Sequence, residues 1–88
     1  MFNPDNKVYL KGDKKMKLQN MGSNKTKLIK DNWKIFFSYN TPVVATDGQG
    51  RWFVTNKKWS VTTSKHINQF LGGMIAERRD QSFFDNLL

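Results

Sequence analysis

Along WKIFFSY, TPVVAT and RWFVT, β-branched and aromatic residues gather in three short runs separated by turn-forming residues. Such side chains suit a pleated, half-buried surface, and runs of this length predict strands. The second and third runs are joined through DGQG, Asp47 to Gly50, whose glycines supply the positive-φ conformations a hairpin loop needs. Pro42 lacks an amide hydrogen and belongs at a strand start, an edge or a bulge. Ile35, Phe37 and Tyr39 combine with Val44, Trp52 and Val54 into one buried face of a short antiparallel meander. Downstream, Ile67, Phe70, Leu71, Met74 and Ile75 follow the i, i+3, i+4, i+7, i+8 spacing of an amphipathic helix. Thr62, Thr63 or Ser64 supplies its N-cap. Gly72-Gly73 leaves two readings: the helix stops at Leu71, or it continues through a weak point. The expected fold class is α+β, a three-stranded antiparallel meander covered by one amphipathic helix.

The flanks are patterned differently. Val8 and Leu10 alternate with Lys7, Tyr9 and Lys11, and Met16 and Leu18 alternate with lysines beyond Gly12-Asp13. Residues 1–30 therefore read either as a basic hairpin turning at Gly12-Asp13 or as a basic arm, with disorder expected around residues 19–26. Residues 31–75 form the compact module. In residues 76–88, an acidic and aromatic tail, Phe83, Phe84, Leu87 and Leu88 fall on one face of a short terminal helix.

Charge changes the picture more than length does. The 88 residues carry 15 Lys and Arg against 7 Asp and Glu, a formal charge of +8. Such a field favours a polyanion: nucleic acid first, then an acidic protein surface. With 88 residues the core is small, so dimerisation or a partner would help stability. There are no cysteines, which excludes disulfides and thiolate metal sites. The start has no secretory pattern, and no run approaches the roughly 20 apolar residues that span a bilayer. The expectation is a cytoplasmic protein with no membrane partner.

Candidate chemistry concentrates in KKWSVTTSKHINQFLGG, Lys57 to Gly73. A helix start presents unpaired amides and a partial positive charge, to which phosphate binds readily. Thr62, Thr63 and Ser64 add hydroxyls, Lys65 a charge and His66 an imidazole. Lys57, Lys58 and Arg51 add cations, and Trp59 or Trp52 an aromatic face for a base. The duller reading has the hydroxyls capping the helix, Trp59 packed in the core and the lysines solvated. The order SYNTPVVAT and then SVTTSKHIN, within about residues 33–72, resembles a family of small uncharacterised phage-encoded proteins. That resemblance implies a viral origin and a recurring module, and no mechanism.

Catalysis is not expected. One histidine and no cysteine cannot furnish a zinc site, Ser64 and His66 are badly spaced for a shared helix face, and DGQGR is too short to cradle phosphate. No cofactor is implied. The leading expectation is a non-catalytic, nucleic-acid-binding protein (DNA or RNA) acting through phosphate contacts. The alternative is a protein that binds and inhibits or redirects a host or viral protein complex. Phe83, Phe84 and Leu87 would be its anchor, in a tail that resembles the Gln-plus-aromatic peptides that dock on sliding clamps; the duller reading, which a small domain favours, has them pack back on the sheet or the helix.

Overall fold

The computed structural model describes residues 16–88. They form a compact α+β fold built on one six-stranded sheet in the order β1-β2-β3-β4-β5-β6. The strands are β1 (Met16–Asn20), β2 (Lys25–Lys30), β3 (Trp33–Ser38), β4 (Thr41–Thr46), β5 (Trp52–Thr55) and β6 (Glu77–Arg79). Helix α1 (Val61–Leu71) lies between β5 and β6, and α2 (Gln81–Asp85) follows β6. The expected three-stranded meander under one helix is overturned: three further strands extend the sheet and a second helix covers its other face.

The first five strands pair antiparallel, each with its successor. Their connections are tight, and each carries a residue in the left-handed region: Asn24, Asp31, Tyr39 and Gly48. At Gly48 the requirement is double. Its φ is +80°, and a Cβ there would sit 2.8 Å from the Asn32 carbonyl oxygen of the neighbouring turn. Residues 19–26, expected to be disordered, instead complete β1, turn, and begin β2. The Met21 amide donates to the Lys25 carbonyl and the Lys25 amide to the Gly22 carbonyl, while the Gly22 amide donates to Asn20 Oδ1. The partner of β1 is therefore β2. A hairpin turning at Gly12-Asp13 lies outside the described residues.

After β5 the chain crosses over through α1 and returns as β6, which pairs parallel with β5. A parallel pair needs such a crossover, and α1 supplies it. Ser60 is the N-cap of α1, its hydroxyl accepting from the Thr63 amide; the cap falls before the threonines expected to provide it. Gly72, with φ at 56°, closes the helix by donating its amide to the Asn68 carbonyl. Met74 and Ile75 thus leave the helix, and Ile75 is 93% exposed despite its apolar register.

The sheet has two buried faces rather than one. The β3–β4 register shifts between Phe36 and Phe37, which pair with Val44 and Pro42, so Val43 is the extra residue of a bulge on β4. Phe36, Val43 and Val44 pack with Phe70 of α1, and Trp52, Val54, Trp59, Ile67 and Leu71 lean on them. On the reverse face Leu28, Ile35, Ala45 and Phe53 pack with Phe84 of α2, joined by Trp33, Phe37, Phe83 and Leu87. Adjacent strand residues point to opposite faces, so Ile35 and Phe37 cannot share a surface with Val44, Trp52 and Val54. Tyr39 belongs to neither, being half exposed in the β3–β4 turn.

Gln81 anchors α2. Its side chain donates to the Pro42 carbonyl at 2.6 Å and accepts from the Thr55 hydroxyl at 2.9 Å, tying the helix to β4 and β5. Asp80 caps the helix by accepting from the Phe83 amide. Phe84 is completely buried. Residues 76–88 are thus an edge strand and a second covering layer.

Candidate nucleic-acid interface

Cross-strand neighbours share a face, so the register sorts the charged side chains onto the two sides of the sheet. Lys17, Ile29 and Lys34 lie in one row across β1, β2 and β3. Gln19, Lys27 and Phe36 form the next, and Lys25 stands beside Ser38. Phe36 packs under α1, which fixes all these positions on the α1 side. Helix α1 rests on β3 and β4, so the β1–β2 half of this face carries a ladder of lysines beside the helix. Lys25 Nζ donates to Gln69 Oε1 of α1 at 2.6 Å.

The opposite flank of α1 carries the second cationic group. A cleft of about 320 Å³ is walled by β5, the Asn56–Trp59 connection, one side of α1 and Arg78 of β6. Lys57 and Lys58 line it together with Ser64 and Asn68. Lys57 Nζ lies 4.4 Å from the centre of the Trp59 ring, a cation–π contact that fixes the lysine over the indole. Trp59 Nε1 is buried without a hydrogen-bond partner.

The reverse face is charged but neutralised. Arg51 and Arg79 both approach Glu77, and both guanidinium groups lie over the Phe53 ring. Lys30 Nζ donates to the main-chain oxygens of Leu87 and Leu88. Asp80 and Asp85 add negative charge along α2. By contrast, no Asp or Glu occurs in α1, lines the cleft or occupies an α1-facing strand position among the described residues.

The sequence-predicted site residues divide accordingly. Lys57, Lys58, Trp59 and Ser64 come together in the cleft. Thr62 and Lys65 are exposed on α1 outside it. Arg51 is on the other face, with Glu77. Thr63 and His66 are each 6% exposed and serve the core. The Ser38 hydroxyl lies 2.7 Å from His66 Nδ1 and 3.0 Å from Thr63 Oγ1, a buried polar chain pinning α1 to β3. His66 also packs against Tyr39 and Phe70. Of the aromatic candidates, Trp52 is stacked on Phe36 and Trp59 is overlaid by Lys57. Phe83, Phe84 and Leu87 pack on the sheet, with Phe84 wholly inside.

Sequence reasoning missed Arg78, which reaches the cleft only because β6 pairs with Val54 of β5. It also left the lysine ladder unassembled, although the Lys25-x-Lys27 alternation in β2 carried the signal. No group of His, Cys, Asp or Glu that could hold a metal ion, and no helix long and apolar enough to cross a membrane, occurs among the described residues.

Fold and surface together define a compact α+β domain with ion-paired arginines on its α2 side and, among the described residues, no acidic strand or helix position beside the lysines of its α1 side. The chain belongs to a family of unknown function, DUF8033, whose pattern matches residues 16–86. No curated protein and no solved structure matches it.

Proposed function

We propose that this protein binds nucleic acid through its α1 face, by phosphate contacts and without catalysis, as a phage-encoded protein working in the host cytoplasm. The observation that supports the reading is the segregation of charge. Lys17, Lys25, Lys27 and Lys34 flank one side of α1, and Lys57, Lys58 and Arg78 flank the other. Clustered cations attract a polyanion, and each phosphate they neutralise releases condensed counterions. Contacts of this kind position a strand and carry little sequence information.

The test is fluorescence anisotropy with labelled single- and double-stranded DNA and RNA at two salt concentrations. Binding weakens steeply with salt on this reading. Replacing Lys17, Lys27 and Lys34 together by Gln lowers the log–log salt slope by about two to three units. Absence of binding at low salt overturns the proposal and redirects the basic face to an acidic protein partner.

A further inference from the structure

The lysine ladder is open, whereas the cleft on the other flank of α1 is a pocket. A sugar-phosphate backbone passing over a surface needs cations alone. This cleft adds an apolar wall of Val54, Trp59, Ile67 and Leu71 to the cations Lys57, Lys58 and Arg78. Asn56 and Asn68 also line it, and their amide side chains can donate and accept hydrogen bonds. Its volume, about 320 Å³, falls at the small end of ligand sites, which run from about 300 to 1,000 Å³. Apolar wall, hydrogen-bonding amides and clustered cations are the three things a single nucleotide asks of a site: a surface for the base face, partners for its edge, and charge for its phosphate.

We infer that the cleft takes one nucleotide unit of a single strand. Lys57, Lys58 and Arg78 hold its phosphate, and the base lies against Ile67 and Leu71 with its edge towards Asn68. The inference rests on the nucleic-acid reading of the α1 face and adds a strand preference to it. In a duplex the bases are paired and stacked, so only the lysine ladder engages it. A single strand engages both flanks of the helix.

The three indole N–H groups report on this directly in a two-dimensional ¹⁵N–¹H spectrum, with the Trp59 resonance assigned by its loss in Trp59→Phe. Titrated with adenosine monophosphate, the protein is expected to show a saturating shift at Trp59, while Trp33 and Trp52 stay in place. Inorganic phosphate reaches the same shift only at a concentration about tenfold higher or more. Asn68→Phe fills the cleft from an exposed helix position that the core does not use. It removes the nucleotide response and brings single-strand affinity down to that of duplex.

No movement of Trp59 at millimolar nucleotide overturns the inference, as does an equal response to phosphate, which reduces the site to a simple anion pocket. The two readings fail separately. Strong salt-dependent polyanion binding with a silent Trp59 removes the nucleotide site alone. A Trp59 response in a protein that binds no polyanion removes the broader reading and leaves the cleft as a mononucleotide site.

Discussion

The two faces of the sheet are built from the same strands and do opposite things with charge. On the α2 side, Arg51 and Arg79 are spent on Glu77 and the aromatic rings of Phe53 and Phe83. Lys30 is spent on main-chain oxygens at the end of α2. Half-exposed ion pairs of this sort contribute little stability, so aromatic burial holds that side. On the α1 side Phe36, Val43, Val44 and Phe70 form the core, and no Asp or Glu occupies an α1-facing strand or helix position among the described residues. On the proposed reading, the α2 side holds the fold and the α1 side is the one offered to nucleic acid.

Mutations should divide along the same line. The largest effect is expected at Phe84, the fully buried centre of the α2-side core. Phe84→Ala should cost about 3–5 kcal/mol in denaturant unfolding, a large share of the stability of a small domain. The fraction that remains folded should keep its salt-dependent binding. If binding falls further than the folded fraction does, α2 is part of the interface and the division of labour fails.

A smaller loss is expected at Ser38, whose hydroxyl joins His66 to Thr63 beneath α1. Ser38→Ala strands buried polar groups and should cost about 1–3 kcal/mol. Amide exchange would show the opening concentrated in α1. Unchanged protection there would mean that Phe70 and its apolar neighbours alone seat the helix.

The smallest stability effects, and the sharpest comparison in binding, come from two surface cations. Lys34→Gln on the α1 face and Arg51→Gln on the α2 face remove the same charge from the same domain. Both should leave unfolding within about 0.5 kcal/mol of the parent, as surface substitutions usually do. Lys34→Gln should lower the salt slope by about one unit, and Arg51→Gln should leave it unchanged. Equal effects would mean that net charge, not its placement, drives binding.

Much of this protein could be read along the chain. The β-branched and aromatic runs determined β3, β4 and β5, and DGQG their last turn, because strand and turn preferences act over a few residues. The spacing of Ile67, Phe70 and Leu71 determined α1 for the same reason. Only the tertiary structure decided which face each residue serves. Glu77-Arg78-Arg79 has no apolar alternation and is a strand only because β5 offers it a free edge. Phe84 could be read as a partner anchor or, more readily, as core, and the reverse face of the sheet makes it core. His66 and Thr63 looked like ligands until Ser38, far away in sequence, supplied them with a buried partner. The basic face is the clearest case: Lys17, Lys34 and Arg78 share a surface through strand register and a parallel crossover. Those pairings join residues distant in the chain, and no local pattern encodes them.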